Sequence, residues 1–490
     1  MISRRTFLRA AGVGTAALAM PQLTRAADNT DAADRPNIVF ILVDDQRNDT
    51  LGCAGHKILK TPVVDSLAAK GVRFSNMFVT TSICAASRAS IFTGLHERTH
   101  GYTFGKPPVS KAHTDASYPV LLRKAGYRTG FIGKYGVNMT GGRGKMFDSF
   151  ESFYGPRFIK QPDGSKRHTA EICGDKAIKF IRAGKTDSRP QKKPFCLSIS
   201  FPSVHAVDSN KKPGDGHYPW PKAVDGMYDD VKIPPPRLSK PEVFENQPKF
   251  LRKSMNRNRW FWRWDTPEKY QTNIRAYYRM ISGVDRVIGR VVEELKTQGL
   301  DKNTVIIYTG DNGYYMGQRG FAGKWSHYEE SLRVPLVIYD PRDKASKRGK
   351  VDDAVSLNID LPATMLDLAG VSVPKHYGGK SLVPIVKDKA PSGWRTDFFC
   401  EHLMEYATIP KWEGVRDSRY VYARYFAEKP CHEFLHDLKA DPDQLQNFAK
   451  DPKYADTLKK MQTRCDELRD THGGEYKRPA PRRKKRKAKG

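Results

Sequence analysis

The chain has 490 residues, 39% hydrophobic and 11% aromatic, which is enough to bury a sizeable core and excludes wholesale disorder. No apolar run reaches the ~18–20 residues of a spanning helix, so an integral membrane protein is excluded. The net charge of +30 favours polyanionic partners without naming one, and seven cysteines with no C-x-x-C pair fit neither a disulfide-dense scaffold nor a zinc ribbon.

In chain order, the first element is an address. Arg4-Arg5 ahead of Phe7-Leu8, an apolar stretch from Ala10 to Met20 and the small pair Ala26-Ala27 read as a twin-arginine-type signal over residues 1–26, which implies export to the periplasm or beyond. Residues 35–45 form an apolar run ending on Asp44-Asp45, as in a strand buried on both faces of a parallel sheet. Short helices are expected over residues 61–71, with Pro62 inside the start and Gly71 at the end, and over 120–126. Strands follow over 127–132, 195–201, 304–309 and 334–339, with a long amphipathic helix over 274–298. Residues 206–270, rich in Pro, Trp and charge, read as long loops forming a lid or rim. After about residue 390 the pattern changes to short aromatic strands (420–426, 433–437) and a helix over 454–470. From Lys477 to Gly490 there are nine Lys or Arg and no acid, a pattern that self-repels and reads as a disordered, solvated tail. The fold class is therefore α/β. A large, mostly parallel central sheet flanked by helices is expected over 35–389, a smaller α+β domain over 390–472, and a basic tail over 473–490.

Polar residues stand where the strands stop: Asp44-Asp45, Lys134, His205 and Asp311-Asn312. In open α/β sheets ligands bind outside the carboxyl ends of the strands, so these groups should converge at one edge of one sheet.

Cys84-Ala85-Ala86-Ser87-Arg88, continuing to Thr93-Gly94, resembles the signature of the type I sulfatases of the alkaline phosphatase-like superfamily. Asp44-Asp45, Lys134, His205, Asp311-Asn312 and Lys324 follow in that family's order, and the resemblance spans Arg35 to about Asp451. It implies that Cys84 is oxidised to Cα-formylglycine by a separate maturation system. The aldehyde hydrates to a gem-diol: one hydroxyl attacks sulfur and the other expels sulfate, which splits one hard step into two. Asp44, Asp45, Asp311 and Asn312 offer only oxygen ligands, the choice of a hard divalent cation such as Ca²⁺, with residue 84 beside it. By the same resemblance Lys134 and Lys324 meet sulfate oxygens, Arg88 holds the formylglycine, and His205 protonates the leaving alcohol. Asp311 also stands as a base for the gem-diol.

One departure is plain. Many sulfatases carry Gly-Lys-Trp-His, whereas this chain reads Gly133-Lys134-Tyr135-Gly136, a variant similar to N-acetylglucosamine-6-sulfatase and heparan endosulfatase relatives. The missing histidine leaves its task to His100, Asn138 or His327. The segments around Lys324–Glu330, Glu401-His402 and Trp412–Arg416 also resemble bacterial glycan sulfatases, which makes His327, His402 and Trp412 candidates for substrate contacts. The implied activity is sulfuric ester hydrolysis on a sulfated glycan, with no nucleic acid partner. The alternatives are a phosphate or phosphonate ester hydrolase of the same superfamily and a secreted, non-catalytic binder of anionic glycans. Cys196, in a buried strand, reads as a free core thiol.

Overall fold

The computed structural model describes residues 35–477 apart from 154, 156, 185–192 and 344–348. The expected signal over 1–26 and the chain beyond Lys477 lie outside the described residues. The central sheet has eight strands: β1 (Asn37–Val43), β2 (Val72–Phe74), β3 (Arg128–Gly133), β4 (Ser149–Ser152), β5 (Phe195–Phe201), β6 (Thr304–Gly310), β7 (Leu336–Tyr339) and β8 (Lys350–Asp352). Their spatial order is β8-β2-β7-β6-β1-β5-β3-β4. β1 lies at the middle, parallel to β5 and β6, and β7 alone runs antiparallel to its neighbours.

All seven residues of β1 are buried, and their alternation feeds two cores. Ile38, Phe40 and Leu42 meet the layer that contains α2 (Cys84–Thr93), α3 (Tyr118–Lys124) and α7 (Asp360–Leu368). Val39, Ile41 and Val43 meet the opposite layer of α1 (Pro62–Ala69), α4 (Thr169–Ala183) and α6 (Pro267–Thr297). Helix α6 begins seven residues ahead of its apolar periodicity. Thr266 caps it by accepting from the Lys269 N–H, and Pro267 supplies the fixed φ of a first helical turn. The stretch expected as loops contains three short helices, Pro241–Glu245, Lys249–Arg252 and α5 (Met255–Arg263).

A second sheet is antiparallel, β9 (Asp397–His402), β10 (Trp412–Asp417), β11 (Tyr420–Tyr425) and β12 (His432–Asp437). One face packs Phe399, Val415, Tyr422 and Leu435 on Met461 and Cys465 of α8 (Ala455–Thr471). The other face joins the central core through Phe398, Trp412, Tyr425 and Phe434. The mixed α/β architecture with its C-terminal antiparallel sheet follows the composition pattern read from the sequence. Among the described residues no helix is long and apolar enough to cross a membrane.

Gly133 ends β3 at φ +100, and a Cβ there would collide with the Ser200 carbonyl oxygen. Gly133→Ala is expected to cost about 2–4 kcal/mol through strain at this position. Thermal unfolding checks this against Gly144→Ala, where a Cβ meets nothing within 4 Å and the Tm should stay put.

Candidate active site

The register of the central strands builds the site. Val43 pairs with Phe201 on one side and Gly310 on the other, and Gly133 pairs with Ser200. The residues that follow therefore share one edge. Backbone bonds extend the alignment past the strands: Asp44 N–H to Ser203 at 3.1 Å, Asp311 N–H to Val43 at 3.1 Å, and Lys134 N–H to Ser200 at 2.8 Å. Asp45 turns the chain at φ +60, a strained region for a non-glycine residue, and its carbonyl accepts from Tyr277 Oη at 2.8 Å.

Helix α2 delivers Cys84 at its first position, where backbone N–H groups are free and the helix dipole favours negative charge. Arg88 lies one turn on, on the same face. Gly94 ends the helix at φ +69, which gives the Thr93-Gly94 part of the motif a physical reason.

Three buried carboxylates, Asp44, Asp45 and Asp311, face three buried cations. Arg88 Nε donates to Asp311 Oδ2 at 2.8 Å, and Nη1 to the Lys134 carbonyl at 2.6 Å and Ser200 Oγ at 2.5 Å. Lys134 Nζ pairs with Asp44 Oδ2 at 2.5 Å, and Lys324 Nζ pairs with Asp45 Oδ1. Asn312 Nδ2 donates to Asp45 Oδ1 at 2.7 Å, and Asp311 Oδ1 accepts the Asp45 N–H at 3.0 Å. His205 Nε2 stands 3.6 Å from Asp45 Oδ2 and 3.8 Å from Asp208 Oδ2, while Nδ1 lies 2.6 Å from the Ala206 carbonyl. Asp208 is itself clamped by Arg259 and Arg263 of α5.

The electrostatics follow from burial and neighbours. Burial pushes the Asp44 carboxyl up, but Lys134, His205, Arg88 and Lys324 hold it well below the usual carboxylate range. Burial and the Asp44 charge push Asp311 up to about 7, against Arg88 and the two lysines. Burial lowers His205 to about 4 against the pull of Asp45 and Asp44. Burial raises the Cys84 thiol, opposed by Lys134 and Lys324.

Asp44 Oδ1, Asp45 Oδ2 and Asn312 Oδ1 are buried and have no hydrogen-bond partner. Buried polar atoms are ordinarily satisfied, so three orphaned oxygens on adjoining strand ends fit a bound hard cation. Ligand atoms of Asp44, Asp45 and His205 lie within 4.8 Å of one another.

Cys84, Lys134, His205 and Lys324 open onto a cleft of about 1180 Å³. Among the described residues its charged wall is Lys134, Arg143, Arg157, Lys166, Arg259 and Lys324, against a single acid, Asp208. The structure does not bring the three proposed substrate contacts to this wall. Trp412 is fully buried and donates Nε1–H to the Trp325 carbonyl at 2.7 Å, so it supports the loop behind Lys324. His327 is spent in the core between the sheets, with Nδ1 2.9 Å from Tyr425 Oη and Nε2 3.1 Å from His436 Nε2. His402 is fully buried and pairs in register with Trp412. Of the stand-ins for the missing histidine, only Asn138 lines the cleft; His100 is buried with Nε2 3.1 Å from Ser90 Oγ. Sequence reasoning missed Ser200 and Asp208. Ser198 and Ser200 are the two polar residues in the otherwise apolar β5, which was a usable signal; nothing in the sequence marked Asp208.

Known proteins resemble this chain in sequence and fold. Residues 36–371 match the sulfatase family model, and residues 317–471 match the C-terminal model of N-sulphoglucosamine sulphohydrolase. An N-acetylglucosamine-6-O-sulfatase of Bacteroides thetaiotaomicron is 28% identical over 88% of this chain and 86% of its own. An arylsulfatase of Clostridium perfringens is 28% identical over 86% and 92%. A solved structure in complex with its substrate, D-glucosamine-2-N,6-O-disulfate, superposes with a TM-score of 0.76 at 25% identity, covering 89% of this chain and 98% of that one. A phosphonate monoester hydrolase of Silicibacter pomeroyi shares the fold, with a TM-score of 0.70 at 24% identity over 89% and 96%. Residues 1–21 match the twin-arginine translocation signal, so the chain is an exported protein. With its model spanning 336 of 490 residues and its motif order intact on one sheet edge, the chain belongs to the sulfatase family, whose members hydrolyse sulfuric esters.

Proposed function

We propose that this enzyme removes sulfate from a sulfated amino sugar, with Cys84 matured to formylglycine as nucleophile and Ca²⁺ held by Asp44, Asp45, Asp311 and Asn312. The observation that carries this reading is the set of orphaned oxygens on Asp44, Asp45 and Asn312, beside the helix start that presents Cys84. The named substrate of the structural relative and the basic cleft wall support the sugar and its charge.

When present, the formylglycine supplies a hydrated aldehyde as nucleophile and the cation a Lewis acid for a sulfate oxygen. The chain's own residues do the rest. Arg88 is fixed by Asp311, Ser200 and the Lys134 carbonyl, so its guanidinium is aimed without reorganisation. Lys134 and Lys324 set two ammonium groups on the cleft floor, where charge gathers on the sulfuryl oxygens. His205 turns Nδ1 to the Ala206 carbonyl, which leaves Nε2 to carry a proton to the leaving oxygen. An anionic sulfate ester beside that ring favours its protonated form.

The following outcomes are expected. Mass spectrometry of the peptide containing residue 84 should show the aldehyde in enzyme from a host with a maturation system. Cys84→Ala should lower sulfate release from glucosamine 6-sulfate by at least about 10⁴-fold. Faster hydrolysis of the matching phosphate ester would overturn the assignment. Chelation should lower the Tm, and Ca²⁺ at about 100 times its Kd should restore about 2.7 kcal/mol. Asp45→Asn should lose that calcium-dependent rise. Finally, His327→Gln should lower the Tm and leave the KM for the sugar unchanged, because its ring contacts Tyr425 and His436 and not the cleft.

A further inference from the structure

Among the described residues five large apolar side chains are exposed, and two of them, Phe104 at 44% and Tyr406 at 49%, line this one cleft. Aromatic rings left in solvent on a concave wall mark a contact site more often than chance does.

Each ring is mounted on a fixed turn. The Lys106 N–H bonds the Thr103 carbonyl at 3.1 Å, and Gly105 takes φ +78 directly after Phe104. Glycine supplies the left-handed position of that turn, so the bulky ring stands at the position before it. The Ile409 N–H bonds the Tyr406 carbonyl at 3.1 Å, and the Thr408 carbonyl of the same turn accepts from the Met255 N–H at 2.8 Å. Tyr476 ties the two turns together: its hydroxyl bonds Glu405 Oε1 and accepts from Lys106 Nζ at 3.3 Å. Lys411 Nζ holds the other Glu405 oxygen at 2.9 Å. The turns are thus set before a ligand arrives, and the charges beside the rings are engaged with one another.

The cleft changes character with depth. Cys84, Lys134 and Lys324 are buried, whereas Phe104 and Tyr406 stand half in solvent, so the aromatic pair lies farther out. The cleft encloses about 1180 Å³, more than the ~300–1,000 Å³ that suits a drug-sized ligand, and one sulfated sugar ring leaves much of it empty. What fills the outer part must be neutral and present an apolar face. A pyranose ring does so: its faces carry C–H groups, which meet the negative face of an aromatic ring.

We infer that Phe104 and Tyr406 form an aromatic subsite for the sugar ring joined to the sulfated one, which makes an oligosaccharide a better substrate than the monosaccharide. The inference rests on the sulfated-sugar reading above and lengthens that substrate by one ring.

The test uses glucosamine 6-sulfate and two disaccharides that join it, through O1 or O4, to an unsulfated hexose. Each is titrated calorimetrically into protein carrying Cys84→Ala, which removes the nucleophile and leaves the ligands intact. One disaccharide should bind about tenfold more tightly than the monosaccharide. Adding Phe104→Ala and Tyr406→Ala should erase that gain and leave the monosaccharide Kd and the Tm unchanged. Tyr406→Phe, which keeps the ring, should keep the gain. The gain should be equal at about 50 mM and about 500 mM NaCl, because no charge takes part. Disaccharides that bind no better than the monosaccharide overturn the inference, and so does a gain that survives the double substitution. Equal weakening of monosaccharide and disaccharide by that substitution overturns it too, because the rings then touch the reacting sugar. A 4-nitrophenyl glycoside of the monosaccharide that binds more tightly than both disaccharides overturns it in favour of an aryl aglycone. A disaccharide gain in Kd without any sulfate release from the matured enzyme counts against the sulfatase reading alone, since calorimetry still decides the subsite.

Discussion

The structure is organised around three carboxylates buried away from the protein surface. One buried unpaired charge is enough to destabilise a domain, and here Asp44, Asp45 and Asp311 share one sheet edge. Arg88, Lys134 and Lys324 offset them one for one, each from a different element: a helix, a strand end and a loop. Compensation by charge alone still leaves Asp44 Oδ1, Asp45 Oδ2 and Asn312 Oδ1 without hydrogen-bond partners. A divalent ion there would settle those oxygens and free both lysines to face a substrate. The two carboxyls respond oppositely: burial and the Asp44 charge push Asp311 up to about 7, while Lys134, His205, Arg88 and Lys324 hold Asp44 low against its own burial.

The second sheet makes sense as the buttress of this arrangement. Trp412 holds the carbonyl next to Lys324. Arg98, which follows the motif helix, bonds Glu401 and Glu413 at 2.6 Å each, and Arg416 Nε reaches Glu329 at 2.9 Å. These buried pairs tie the small sheet to the segments that carry Cys84 and Lys324. Glu97 lies among them, accepting from Thr81 Oγ1 at 2.6 Å; burial and the Glu401 charge push its carboxyl up to about 8. A β-sheet far along the sequence thereby fixes segments 87 to 315 residues earlier in the chain.

What was legible in the sequence is what period and position encode. An uninterrupted apolar run gave β1, mostly apolar runs gave β5 and β6, and polar residues at their ends gave the edge where Asp44, Asp45, His205, Asp311 and Asn312 meet. What was not legible depends on which side of the small sheet faces inward. Trp412, His402 and His327 carry the residue types of a sugar platform, yet packing between two sheets turns them into core. Composition does not distinguish an aromatic that caps a cleft from one that fills a seam. The start of α6 was lost for a related reason: its first turn is specified by Thr266 and Pro267, before apolar periodicity begins.

The departure at Gly136 is also a packing matter. Gly136 sits at φ +68, and a Cβ there would stand 3.1 Å from Arg88 Cδ and 3.7 Å from Nε. The backbone is shaped around the arginine, so a histidine at this position would meet both an unfavourable φ and an occupied space. Tyr135 has turned the other way, buried among Phe92, Phe131 and Phe150. The uncharged polar groups on the cleft wall then include Tyr102 and Asn138. The loss of one side chain and the close seating of another are two faces of the same local solution. Arg88 reaches Asp311, Ser200 and the Lys134 carbonyl together because nothing but hydrogen projects from residue 136.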